Sequence, residues 1–306
     1  MRAHAPSLVV SGTFPRMSDL RLGVTAVMLS ELDFDEQVAL CVSLGVRYYQ
    51  YRPREIADRD RDKPYSNWGN HKFDLTPKRL LAEGQSLTRR LRDAGLEPWG
   101  TVPHLTVDCP ADEVRLAVDG AAAAGAGRVR CNPPIYSEGL FDYGDYLKRT
   151  LDLYATAVDR IAAPAGIKLI IETHAGSAAT SPGLARLIVQ HFPPDHVGVI
   201  FDLPNFAREG EVRPNLAVST LAPWIDCAHV GGARRVEGVR DARGVRTVGS
   251  EFCPPEQSDL HLPTWLRLVR DAAPAAPWVI EDYDATVPGP DRLRRCAAFC
   301  RAVAAG

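Results

Sequence analysis

Apolar and polar positions along this chain switch repeatedly between two periods. Runs of apolar and β-branched residues at 22–29, 46–51, 97–102, 128–131, 167–172, 197–202, 225–230 and 278–281 predict strands. Segments near 33–44, 76–94, 111–124, 142–162, 181–191, 213–222, 262–272 and 289–303 repeat their apolar residues at helical spacing. Asp33, Thr76-Pro77 and Ser181-Pro182 add helix-start signals. Eight strands in alternation with eight helices predict an α/β protein, a single-domain (β/α)8 barrel over 19–306. A doubly wound open sheet would carry a glycine-rich phosphate loop, and neither GxGxxG nor GxxxxGK[ST] follows any strand. Two charged stretches, 52–73 and the arginine-rich 231–249, read as loop insertions. Residues 1–18 are expected to be a flexible N-terminal extension. The apolar stretch of MRAHAPSLVVSGTFPR is too short for a signal-peptide core, and Met17 is an alternative start.

Composition narrows the partners. With 306 residues, 45% of them apolar, the chain has ample core for one large domain. A net charge of −2 supplies no field to attract a phosphate backbone, which argues against nucleic acid as a partner. No apolar run approaches the ~18 residues that span a bilayer. The seven cysteines form no CxxC pair and are expected to be reduced thiols of a cytoplasmic protein.

Candidate chemistry lies at the strand ends, because a (β/α)8 barrel builds its active site at the C-terminal face. IKLIIE ends at Glu172, VGVIFD at Asp202, IDCAH at His229 and PWVIE at Glu281. Alternation that turns Asp202 to the barrel axis turns Ile200 and Gly198 there too, and sends Val197, Val199 and Phe201 towards the helices. Three carboxylates and an imidazole converging on one rim repel one another unless a cation joins them. An oxygen-rich set with one nitrogen suits Mn²⁺, Mg²⁺ or Co²⁺, one ion per chain. His104 closes the third strand, Asn132 follows the fourth and His174 follows Glu172, so all three are candidate pocket residues. Arg52 and Arg54, after the second strand, are placed either in the pocket or, by preference, in structural ion pairs, and Trp68 either as a lid over the pocket or as a pin for its loop.

The stretches IIETHAGSAATSP, VGVIFDLPNFAREG, IDCAHVGGARR and DLHLPTWLRLVRDAAPAAPWVIED carry a resemblance. Over roughly 140–285 the chain resembles the xylose isomerase-like TIM-barrel superfamily, in particular its sugar phosphate isomerase/epimerase group, and its first half matches in layout. The resemblance implies metal ligation by Glu172, Asp202, His229 and Glu281. It implies isomerisation or epimerisation of a keto sugar or sugar derivative through a metal-stabilised cis-enediolate, with Glu172 and Glu281 as catalytic acid and base. A lyase on the same site, either a dehydratase or an enzyme eliminating an aglycone from an oxidised sugar, is the alternative. An endonuclease IV-like phosphodiesterase and a non-catalytic binding barrel lie further off. Members of the group often dimerise, so a homodimer is expected. Substrate contacts carry over onto Asn205, where family epimerases commonly have histidine, and onto Arg235. Ala178 stands where those epimerases have a further glutamate.

Overall fold

The computed structural model describes residues 20–136, 139–211 and 213–306, so the expected extension at 1–18 lies outside the described residues. Its strands are β1 (Leu22–Thr25), β2 (Tyr48–Tyr51), β3 (Glu97–Thr101), β4 (Arg128–Arg130), β5 (Lys168–Glu172), β6 (Val197–Asp202), β7 (Ile225–Val230), β8 (Gly232–Arg240), β9 (Arg246–Cys253) and β10 (Trp278–Ile280). The α-helices are α1 (Phe34–Ser43), α2 (Asp58–Arg61), α3 (Pro77–Asp93), α4 (Ala111–Ala123), α5 (Tyr143–Ala157), α6 (Pro182–Val189), α7 (Leu203–Glu209), α8 (Pro214–Leu221), α9 (Leu262–Ala272) and α10 (Gly289–Ala305). Parallel strands close into a barrel in the order β1-β10-β7-β6-β5-β4-β3-β2, with β8 and β9 set apart as an antiparallel pair. This is the expected (β/α)8 barrel.

Local chemistry accounts for the helix starts. Asp33 and Glu36 exchange side-chain and backbone hydrogen bonds as a capping box at α1. Thr76 and Ser181 cap α3 and α6, each followed by proline in the first turn. The alternation along β6 holds as well. The Phe201 ring packs on Phe206 at 4.7 Å and Trp265 at 6.0 Å, against α7 and α9, while Asp202 turns inward. At the N-terminal end of the barrel, Asp226 accepts ion pairs from Arg128 at 3.0 Å and Lys168 at 3.2 Å. The register shift between Val199 and Ile200 leaves Asp226 without a partner residue on β6 and gives it room for these contacts.

Two stretches differ from expectation. The arginine-rich stretch 231–249 is largely a hairpin, β8–β9, and not a loop. Its turn has Gly244 at φ +78, and Asp241 Oδ1 accepts from the Arg243 and Val245 amides, which suits an Asp-Ala-Arg-Gly turn. Helix α7 begins directly at the end of β6, because Asp202 caps it through the Asn205 amide. Gly231, which joins β7 to the hairpin, must be glycine on steric grounds. A Cβ there would lie 2.3 Å from the Glu281 carbonyl oxygen. All seven cysteines are free. Among the described residues no helix is long and apolar enough to cross a membrane.

Candidate metal centre

Neighbouring strands β5, β6, β7 and β10 bring Glu172, Asp202, His229 and Glu281 to one point at the C-terminal face of the barrel. All four are buried, with no more than 4% of any residue exposed. His229 Nδ1 lies 2.8 Å from Glu281 Oε2, 3.2 Å from Asp202 Oδ2 and 3.3 Å from Glu172 Oε1. One donor atom from each residue falls within 4.8 Å of all the others. Bonds of about 2.1 Å to a central ion put adjacent ligand atoms about 3.0–3.4 Å apart. The spacing and the donor set therefore fit a divalent ion, with coordination positions left over for a small molecule.

Each of the four side chains is fixed by a second partner. Gln50, on β2 across the barrel, accepts from His229 Nε2 through its Oε1 at 3.1 Å, while its own Nε2 faces Cys227 Sγ at 3.7 Å. This arrangement puts a proton on Nε2 and leaves Nδ1 for the ion. Asp202 Oδ1 caps α7 through the Asn205 amide at 2.7 Å, which leaves Oδ2 for the centre. Glu172 Oε2 accepts from Arg130 Nη1 at 2.7 Å, and Arg130 is held in turn by two bonds to the Pro103 carbonyl. Glu281 Oε1 accepts from the Tyr283 hydroxyl at 2.8 Å. Asp282 and Asp284, the alternate residues of the same segment, point away to Arg295 at 2.7 and 2.8 Å.

Without an ion the four groups share protons. Burial opposes charge on His229, but Glu281 and then Asp202 and Glu172 outweigh it and raise its pKa well above the ordinary value. Burial lifts Asp202 to about 7, with the two glutamate charges adding to it and the His229 hydrogen bond opposing it. Burial also pushes Glu172 upwards, yet Arg130 and His229 reverse this and hold it well below the usual carboxylate range. The three carboxylates therefore favour the protonated imidazole, and an incoming cation must displace that proton. We expect Mn²⁺ binding to release at least one proton per chain near pH 7, with apparent affinity falling as pH is lowered. Calorimetry in two buffers of different ionisation enthalpy reads this directly, and no buffer dependence would contradict it.

Glu172 and Glu281 line a cavity of about 760 Å³, whereas Asp202 and His229 are not part of its lining. His104, Asn132, His174 and Asn205, all candidates from sequence, line it. Asn132 also accepts from the Glu172 amide at 2.9 Å, pinning the end of β5. Asn205 Oδ1 accepts from the Ala175 amide and from Arg208, each at 3.1 Å, so this part of its carboxamide braces the wall. His174 Nδ1 bonds to the Ala175 carbonyl at 2.7 Å. Ala178 is buried. Arg235 does not line the cavity. It sits exposed on β8, where hairpin geometry turns its guanidinium against Gly210. Arg208, one turn along α7 from Asn205, lines the cavity in its stead. Trp68 stands at the cavity with its ring 4.7 Å from Tyr283, and Phe252 from the hairpin meets the same ring at 5.1 Å.

Sequence reasoning missed Gln50, Arg130, Tyr283 and Arg208. Gln50 had a readable signal, since a lone amide inside the buried run YYQY needs a partner. Arg130, in RVRC, had the same signal.

The sequence profile of the family described as xylose isomerase-like TIM barrel matches residues 38–303. No curated protein matches the chain in sequence. Among solved structures, the protein IOLI with a bound zinc atom superposes with a TM-score of 0.68 at 14% identity, over 94% of this chain and 98% of that one. The 3-keto-D-glucoside 4-epimerase YcjR from E. coli superposes with a TM-score of 0.63 at 12% identity, over 92% and 99%. The probable 3-DHS dehydratase AsbF of petrobactin synthesis from Bacillus anthracis gives 0.62 at 13% identity, over 94% and 98%. At these identities the likeness is one of fold.

Proposed function

This chain belongs to the xylose isomerase-like TIM barrel family, and on that premise we propose that it is a divalent-metal-dependent isomerase or epimerase acting on a keto sugar or sugar derivative. One observation carries the reading: His229 Nδ1 faces three carboxylate oxygens at 2.8–3.3 Å beside a cavity that admits a small molecule. Mn²⁺, Mg²⁺ or Co²⁺ suits this oxygen-rich set. The ion supplies Lewis acidity that polarises a carbonyl and stabilises the charge left when the adjacent carbon loses its proton. The protein's own groups hold the ion, orient the substrate and move the proton.

The two glutamates are not equivalent as bases. Each turns one oxygen to His229 and the other to a partner. The partner of Glu172 is the Arg130 guanidinium, which disfavours protonation, whereas Glu281 meets only the neutral Tyr283 hydroxyl. Glu281 is therefore the base that removes the proton. Its return to the neighbouring carbon by Glu281 gives isomerisation on one face. Epimerisation requires delivery from the opposite face, where Glu172 would act after parting from Arg130.

The same asymmetry favours the lyase as second reading, because in an elimination one base removes the proton and passes it to the departing oxygen, which leaves as water or an alcohol, and none returns to carbon. The AsbF fold likeness is consistent with it. Incubation with ketoses and oxidised sugars in D₂O, followed by NMR, tests and separates the readings. An isomerase or epimerase puts solvent deuterium into a product of conserved composition, and a lyase gives an unsaturated product or a released fragment. EDTA should abolish either activity and Mn²⁺ should restore it. Full activity in metal-free protein would end the proposal.

A further inference from the structure

The rim opposite the metal ligands is cationic, and among the described residues no carboxylate forms an ion pair with its Arg52 or Arg54. In the barrel order β2 lies four positions from β6 in either direction, so Arg52, next after β2, enters from the wall facing Asp202. Side chains two apart on a strand share a face. Arg52 thus stands one layer above Gln50, which already reaches His229 across the axis. Arg52 is only 6% exposed, and it lines the cavity. Among the described residues its side chain makes no hydrogen bond and no ion pair, and Nη2 is buried without a partner.

Single buried Nε atoms of Arg267, Arg292 and Arg295 are also unpartnered, but the other arginines close to the barrel interior each bond an acceptor. Arg130 bonds Glu172 and the Pro103 carbonyl, Arg128 pairs with Asp226, and Arg292 bonds the Met28 carbonyl and Asn67. Around Arg52 stand more cations. Arg54 lines the same cavity, half-buried and likewise without a side-chain bond among the described residues. Burial and then the Arg54 charge pull the Arg52 pKa down to about 10, with Arg130 contributing in the same direction. Burial, Arg54 and Arg130 also lower the pKa of His104 on the cavity wall. The acid acting on Arg52, Asp74, already bonds Arg61 at 2.9 Å. Among the described residues the expected ion pairs of Arg52 and Arg54 do not form: Asp74 spends Oδ2 on Arg61, and its buried Oδ1 has no partner either.

A guanidinium buried among like charges is costly, and a bidentate anion offsets that cost. We propose that Arg52, with Arg54, binds an anionic group of the substrate, a carboxylate or a phosphate, so that the enzyme takes an acidic sugar derivative and not a neutral ketose. This rests on the reading of the metal centre as the reacting end of the cavity.

Calorimetric titration of the intact protein with inorganic phosphate and with malonate, at fixed salt, tests it. At least one anion should bind with a stoichiometry of about one per chain. Arg52→Gln should weaken that binding at least tenfold, Arg54→Gln should weaken it less, and Arg246→Gln on the hairpin should leave it unchanged. Arg52→Lys keeps the charge and should retain part of the affinity, which guards against a variant that fails to fold. Preference for phosphate assigns a phosphate ester, and preference for malonate assigns a sugar acid. Binding of neither anion, or wild-type binding by Arg52→Gln, overturns the proposal. Metal content measured on the same samples keeps the two readings apart, since an anion site without metal would sink only the metal mechanism.

Discussion

His229→Ala is expected to reduce bound divalent metal from about one ion per chain to nearly none, measured by elemental analysis after gel filtration. The imidazole is the only nitrogen in the ligand set and the only member able to carry positive charge. Its loss removes a ligand from the ion and the nearest cationic partner from Asp202 and Glu281. Breaking a buried charge cluster in this way costs about 3–5 kcal/mol. The lower end applies here, because Asp202 already tends to take up a proton. The metal-free variant should therefore also unfold on the order of 10 °C lower than the metal-free parent. Gln50→Leu provides the graded comparison. It leaves all four ligands but frees the His229 tautomer, and a loss of metal affinity of roughly 10–100-fold is expected. Retention of a full equivalent of metal by His229→Ala would show that the ion, if any, sits elsewhere.

Glu281→Gln is expected to lower the rate of substrate proton exchange with D₂O by about 10²–10⁴-fold. The amide keeps an oxygen for the ion but has no basic lone pair of comparable strength. Metal affinity will also fall, so the measurement belongs at saturating Mn²⁺. Persistent inactivity there identifies a base, whereas full rescue by metal would reduce Glu281 to a ligand. Tyr283→Phe should have a milder effect, about tenfold, with the pH profile of turnover displaced upwards. The hydroxyl bond to Oε1 stabilises the ionised carboxylate, and its removal raises the pKa of the base. A purely structural role for Tyr283 would leave that profile in place.

The barrel and the four ionisable residues that meet at its rim were legible in the sequence because both depend on local properties. Period-two and period-3.6 patterns identify the elements, and a carboxylate or histidine directly after a buried strand marks the rim whatever the rest of the fold does. The Asp202 cap on α7 is equally local, an Asp followed by proline two residues on. Arg235 fails for a different reason. Its position six residues after His229 fits the family spacing, but alternation along β8 aims its side chain away from the cavity.

What the sequence by itself determined is therefore the list of rim residues and the face each one takes. It did not determine their partners. Gln50 meets His229 from 179 residues away, Arg130 meets Glu172 from 42, and the Arg52 side chain finds no partner among the described residues. These outcomes follow from barrel closure and from register shifts such as the one between Tyr49 and Gln50. A strand fixes the direction of a side chain through its own backbone, but the group it meets belongs to another strand, and only closure of the ring sets that distance.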